Sequence, residues 1–386
     1  MPQSLSTNKL TLLLTLGIIV MGSNSLLLSP ILRDVAGDLR TSPVVVAWVI
    51  SAFGAATAVS SFFFGGVIDK LGYRRVLLGG ATIMALSLIG CSVSTAWYWL
   101  ALCQAVIGLC VGVMLPAVYA AATSNAPLGE GARVLGRVIS GWGIALVLGV
   151  PSSAFLSDLF GWRATFAILA ALTALSLVGF FQLPRQSAVR SQTAPVSPFR
   201  ALKIPGVLPL LVICLSYMTA FYGLYAFLGD HLRSVLDLTA GQAGIVVLGY
   251  GAGFVLASFA DAAIDRIGTR KTFPTTLALL AGVYLLLVPA TQNYLSAILI
   301  AAVWGFVNHI AINLIVLLLS QRDKTARGAL MGLQTAATYT SVFLGPLLMG
   351  AFYPLGFHLV AGAAAVLLAF SAIVAWKFCA AVDGVR

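Results

Sequence analysis

"DKLGYRR" occupies residues 69–75, and a near copy, "DRIGTRK", occupies 265–271, 196 residues further on. Two short charged phrases of one design, set in a chain that is 60% hydrophobic, indicate a duplicated architecture. Charged residues make up 9% of the chain, against about a quarter in a soluble domain. Mean hydropathy is +1.02. So little polar surface cannot cover a fold of 386 residues, and the solvent for most of it must be lipid.

The charges are confined to short patches. Stretches free of Asp, Glu, Lys and Arg lie near 10–32, 44–65, 76–95, 97–121, 138–157, 164–183, 207–228, 241–260, 273–290, 295–319, 329–352 and 359–376. Each approaches the ~20 residues that cross ~30 Å of hydrocarbon at 1.5 Å per residue. The period-2 alternation of a lipid-facing barrel is absent. The expected fold is therefore all-α, with twelve transmembrane helices in two six-helix bundles, residues 1–183 and 207–386. A proline-bearing cytoplasmic linker at 184–206 joins them. The first apolar run is longer than a signal-peptide core and no small-residue cleavage site follows it, so it is read as a retained span.

Basic residues are unevenly shared between the two sides of such a bundle. One side, which holds both termini, receives 18 of the 22 Lys and Arg; only Arg33, Arg40, Arg163 and Arg233 fall on the other. Acids divide 6 to 5. A bias in basic residues alone is the positive-inside pattern, which predicts cytoplasmic termini. A bacterial inner (plasma) membrane is the expected location. It also accounts for the net charge of +11 without a nucleic-acid partner. The five cysteines form no CxxC pair and sit mostly in apolar runs, which reads as buried, inert thiols with no disulfide or metal implied.

Further positions recur at nearly the same offset. Gly149 and Pro151 answer to Gly345 and Pro346, "ARVLGRV" at 132–138 to "ARGALMG" at 326–332, and "GWR" at 161–163 to "GFH" at 356–358. "GGVIDKLGYRRVLL" (65–78) resembles the loop 2–3 signature of the major facilitator superfamily. "GVPSSAFLSDLFGWRATF" (149–166) is similar to the helix 5 motif of its drug:proton antiporters with twelve helices, especially the arabinose-efflux-like branch. The resemblance implies two parallel repeats that rock about a substrate near the midplane. It also implies that Asp69, Lys70, Gly72, Arg74 and Arg75, with their echoes Asp265, Arg266, Gly268, Arg270 and Lys271, latch one orientation at the cytoplasmic face. Their carboxylates suit a helix N-terminus of the other half, and their cations suit acids or lipid headgroups. Setting topology alone is the plainer reading of the same charges. Gly149 and Pro151 are expected to let a neighbouring helix approach and to bend helix 5. Gly108 and Gly112 read as a packing contact.

Polar residues inside the spans are candidates for function, because burying them is costly. Those are Asn24 in helix 1, Gln104 in helix 4, Tyr217, Tyr222 and Tyr225 in helix 7, Trp304, Asn308, His309 and Asn313 in helix 10, and Gln334 and Tyr339 in helix 11. Each suits either a cavity for a partly apolar solute or a hydrogen bond between helices. The resembled antiporters place an Asp near Asn24 and an Arg near Gln104, and neither charge is present here. Proton carriers are then sought at Asp34, expected to pair with Arg33 or Arg40, and at His309, with Asp230 and His231 as a third option. Proton-driven export of a small organic molecule by a monomer is the leading expectation. An uncoupled facilitator or importer of a sugar, nucleoside or amino-acid derivative is the alternative. No nucleotide loop, HExxH or paired carboxylate suggests an enzyme, a cofactor or a metal.

Overall fold

The computed structural model describes residues 7–64, 67–127, 130–184, 197–260, 269–323 and 326–383, without the side chains of residues 69, 132, 260, 270 and 381–383. Twelve helices among them are long and apolar enough to cross a bilayer: α1 (Thr7–Leu26), α2 (Pro43–Phe63), α3 (Tyr73–Ser92), α4 (Trp97–Ser124), α5 (Arg133–Phe160), α6 (Trp162–Phe180), α7 (Val207–Leu236), α8 (Ala240–Phe259), α9 (Lys271–Ala290), α10 (Tyr294–Ser320), α11 (Arg327–Leu355) and α12 (Phe357–Ala380). The chain is a multi-pass integral membrane protein of all-helical fold. Its spans alternate in direction, so α1 begins and α12 ends at one face, called here the terminal face; the other is the far face.

Helix ends follow local chemistry. Ser42 caps α2 ahead of Pro43, a Thr239–Gln242 capping box starts α8, and Asn293 accepts from the amides of Leu295 and Ser296 at α10. The repeated Gly-aromatic phrases start α6 and α12: Gly161 has φ +80° and Gly356 φ +127°, values that side chains with a Cβ rarely adopt. Prolines inside spans free carbonyls that side chains then take. Pro116 cannot bond the Gly112 carbonyl, which accepts from Ser61 at 3.4 Å. Pro30 leaves the Leu26 carbonyl without its helical donor, and α1 breaks at Leu27 before resuming as Leu28–Asp38.

The two halves repeat one packing scheme. In the first, α1 packs on α5 and α6, α2 on α4, and α3 on α4 and α6; in the second, α7 packs on α11 and α12, α8 on α10, and α9 on α10 and α12. Glycines allow the tightest crossings. A Cβ on Gly108 would overlap the Phe53 carbonyl of α2, and one on Gly305 would overlap the Tyr250 carbonyl of α8. Between halves, α2 meets α11, α5 meets α8, and α7 meets the Leu28–Asp38 segment. Exchanging the halves maps this set of contacts onto itself, which describes a pseudo-twofold axis running between them.

Candidate functional site

The pseudo-twofold passes through the crossing of Leu28–Asp38 with α7. Ser29 donates its hydroxyl to the Tyr225 carbonyl, and these residues are 196 apart. Tyr225 in turn donates to the Leu26 carbonyl at 3.3 Å, the group that Pro30 released. Gly229 lies against Ser29 and Pro30, so the backbones touch. One turn towards the far face, the same spacing relates Asp34 and Asp230. Each faces an arginine of the other half. Arg233 grips Asp34 with two bonds of 2.7 Å and also reaches the carbonyls of Pro30 and Leu238. Arg33 Nε stands 3.5 Å from Asp230, whose other oxygen accepts from the Tyr353 hydroxyl of α11. Asp34 was expected to pair with Arg33 or Arg40; its partner is Arg233, brought in by tertiary packing.

A third carboxylate crosses the halves at this face. Asp158, on the last turns of α5, accepts from the first amides of α8, Ala240 at 3.0 Å and Gly241 at 2.7 Å. A carboxylate on two free amides at a helix start satisfies orphan donors and opposes the helix dipole. Two further seams run towards the middle. A Cβ on Gly54 of α2 would lie 2.5 Å from the Phe343 nitrogen of α11, and Gly244 of α8 rests on Ala154 and Pro151. In α5 the residues Ala145–Gly149 form a π-helical turn just before Pro151, and Gly149 lies against Ser23 of α1. The close approach expected at these positions is present, and the π-helical turn adds a local irregularity.

Below these seams, Tyr339 of α11 is buried, its ring edge-on to Phe53 of α2. Its hydroxyl lies beside Ser25 of α1 and within electrostatic reach of the Tyr222 and Tyr119 phenols, on α7 and α4. Ser25 gives its proton to the Met21 carbonyl, and the Tyr339 hydroxyl has no hydrogen-bond partner among the described residues. Tyr119 also accepts from Trp142 of α5 at 3.4 Å. Both halves thus converge on polar aromatics with one donor unspent. Sequence reasoning named Tyr222 and Tyr339 but missed Tyr119, Trp142 and Ser25, which no charge or spacing sets apart. Gln334, one turn before Thr338 on α11, donates to it at 3.1 Å, and Cys214 of α7 lies 3.8 Å from that hydroxyl.

The remaining candidates lie inside one half or the other. Asn24 and Gln104 form a reciprocal amide pair at 3.0 and 3.2 Å, both buried, tying α1 to α4. Asn308 accepts from Tyr217 at 2.7 Å and donates to Tyr250 at 2.8 Å. Trp304 is closed in by Phe221, Tyr225, Tyr250 and Tyr284, so this cluster is the aromatic core of the second half. For Asn24, Gln104, Tyr217 and Asn308 the structure realises the interhelical hydrogen bond. His309 and Asn313 do share a face, 2.7 Å apart, with His309 edge-on to Phe254 and Asn313 exposed.

At the terminal face, Asp265, Arg266 and Gly268 lie outside the described residues, as do the side chains of Asp69 and Arg270. Gly72 has φ +77° and leads into α3, the tight turn expected of it. Arg74 donates to the Phe181 carbonyl at 2.8 Å, within its own half, while Lys70, Arg75 and Lys271 are exposed. Two ion pairs among the described residues, Arg33–Asp230 and Arg233–Asp34, join the halves, and both are at the far face. Clusters of three or more metal-ligating side chains are absent among the described residues.

Similarity to known proteins agrees with this architecture. The family described as Major Facilitator Superfamily matches residues 13–323 and 226–383. An uncharacterized MFS-type transporter of Bacillus subtilis (strain 168), YwfA, is 29% identical over 351 residues, covering 89% of this chain and 85% of that one. A bacterial homologue of the human lysosomal transporter Spinster, solved inward-facing and unoccupied, superposes with a TM-score of 0.79 at 13% identity, over 97% of both chains. The nucleoside transporter NupG, in a mutant form, superposes with a TM-score of 0.77 at 15% identity, over 97% of this chain and 99% of that one. Duplicated six-helix packing, the loop 2–3 phrase and the family match agree: this chain belongs to the major facilitator superfamily.

Proposed function

We propose that this chain is a secondary active transporter that exports a small organic molecule, drug-like or metabolic, in exchange for protons. The moving units are residues 1–183 and 207–386, which alternate access to a site between them, with 184–206 as the connecting linker. The basic bias makes the terminal face cytoplasmic and the far face external. The observation that carries the reading is the far-face clasp: Asp34–Arg233 and Arg33–Asp230 exist only while the halves are together there. Contacts confined to one orientation bias the equilibrium between orientations. This conformation is then closed outward, like the inward-facing Spinster homologue. The loop 2–3 and 8–9 charges, Asp69, Arg74 and Arg75 with Asp265, Arg270 and Lys271, take the corresponding task at the cytoplasmic face when the halves tip the other way.

The solute binds at Tyr339, Tyr222, Tyr119 and Trp142, where the unspent Tyr339 hydroxyl offers a hydrogen bond. Asp34 and His309 are the proton-coupling candidates. In proteoliposomes, solute flux should follow an imposed pH gradient and fall in Asp34→Asn or His309→Ala. Flux indifferent to the gradient, with both variants fully active, refutes coupling through these groups.

A second reading, an uncoupled facilitator, is favoured by the neutral Asn24–Gln104 pair standing where the resembled antiporters carry charges. The nucleoside transporter among the structural neighbours gives that reading a substrate class. Counterflow at equal pH separates the two: a facilitator exchanges fully, whereas a coupled antiporter moves protons alongside the solute.

A further inference from the structure

All five cysteines are buried, yet two of them meet. α3 and α4 form an antiparallel hairpin in which Gly80 faces Met114 and Gly90 faces Cys103; a Cβ on Gly90 would lie 2.8 Å from the Cys103 sulfur. One residue further on, the Cys91 sulfur stands 3.9 Å from Gln104 Nε2. Gly90–Cys103 and Cys91–Gln104 are thus successive rungs of the hairpin, which places the Cys91 and Cys103 side chains next to one another. Cys91 lies in the last turn of α3, one residue from its far-face end. The others differ. Cys110 is seven residues along α4 from Cys103, and Cys214 turns its thiol to Thr338.

We propose that Cys91 and Cys103 are a disulfide-forming pair that staples α3 to α4 beneath the far face. The site stands independently of the transported solute and of proton coupling. In the reaction two S–H bonds are replaced by one S–S bond. The two protons and the two electrons pass to a low-molecular-mass disulfide oxidant, whose S–S bond breaks as it leaves as two thiols. The staple also bears on the bundle interior. Gln104, the residue after Cys103, reaches Asn24 of α1, so fixing α4 on α3 at this level holds one partner of that amide pair in place.

The test uses the purified full chain in detergent, first reduced and then treated with oxidised glutathione or with copper–phenanthroline in air. The second oxidant is lipid-soluble, which matters because thiols in apolar surroundings react slowly. After denaturation, N-ethylmaleimide counts the remaining thiols by intact mass. Reduced protein should carry labels on all five cysteines, and oxidised protein should lack labels at Cys91 and Cys103. In Cys91→Ser the oxidant should remove no label, whereas Cys110→Ser should still lose two. Full labelling of the wild type after both oxidants overturns the proposal, as does a loss that persists in Cys91→Ser.

Discussion

Replacing Arg233 by methionine removes the tighter half of the far-face clasp while keeping its apolar stem in place. Arg233 is 11% exposed and Asp34 31%, and two bonds of 2.7 Å join them. Hydrogen bonds to charged groups contribute about 1.5–3 kcal/mol each when buried, and an exposed pair about 0–1 kcal/mol. This pair is buried on one side only, and the substitution also removes the hydrogen bonds to the Pro30 and Leu238 carbonyls. The expected net loss is then ~1–3 kcal/mol. That corresponds to roughly 5–150-fold in the ratio of far-face-closed to far-face-open molecules. Arg233→Lys should fall between, because an ammonium cannot grip both carboxylate oxygens in a fixed fork. Arg33→Met should shift the ratio less, since Arg33 is 48% exposed and its contact is 3.5 Å. The ratio can be read by pulsed electron–electron resonance between spin labels at Gly37→Cys and Gln292→Cys, with the native cysteines replaced. A Cβ at Gly37 meets nothing within 4 Å, and Gln292 is exposed, so neither label disturbs packing. A distance distribution unchanged in Arg233→Met, in protein whose melting temperature is retained, would refute the clasp as an element that sets orientation.

Other expectations follow from the same geometry. Asp158→Asn should open the far face by about 0.3–1 kcal/mol, less so in high salt, because it weakens a carboxylate on the first amides of α8; the same spin-label pair reads it. Gly305→Ala should cost several kcal/mol or abolish folding, because the new methyl would overlap the Tyr250 carbonyl. Gly362→Ala, with nothing within 4 Å, should leave the melting temperature unchanged. Asn24→Leu or Gln104→Leu alone should cost about 1–3 kcal/mol by orphaning a buried amide. The double substitution should cost less than the sum in thermal melts. Tyr339→Phe should weaken binding of a transported solute by about 0.5–1.5 kcal/mol in KM while leaving the melting temperature the same or higher, since the lost hydroxyl has no hydrogen-bond partner among the described residues.

How far the residues alone could be read depends on which physical rule governs each of them. Lipid as solvent forces long uncharged runs, so all twelve spans stand out in the chain, with ends up to eight residues off where Asp230 and Arg233 extend α7 to Leu236. Backbone geometry is equally visible at Gly161 and Gly356, where the turn into the next helix needs a positive φ. Duplication also shows in one dimension: the 196-residue spacing that relates "DKLGYRR" to "DRIGTRK" relates Asp34 to Asp230 as well.

Partnership is the part that chain order conceals. Asp34 has two arginines close by in sequence, yet it pairs with Arg233, because the pseudo-twofold lays α7 across Leu28–Asp38. Trp304, Asn308 and Tyr217 are polar and buried like Tyr339, yet Tyr217 bonds Asn308 and Trp304 packs among aromatic rings, all within one half. Tyr339 alone of these turns towards Ser25 and Tyr119 across the seam, beside Tyr222 of its own half. Composition and period establish what must be buried and how the chain crosses the membrane. Which buried group meets which depends on helix rotation and crossing between segments nearly 200 residues apart, and only the packed bundle decides that.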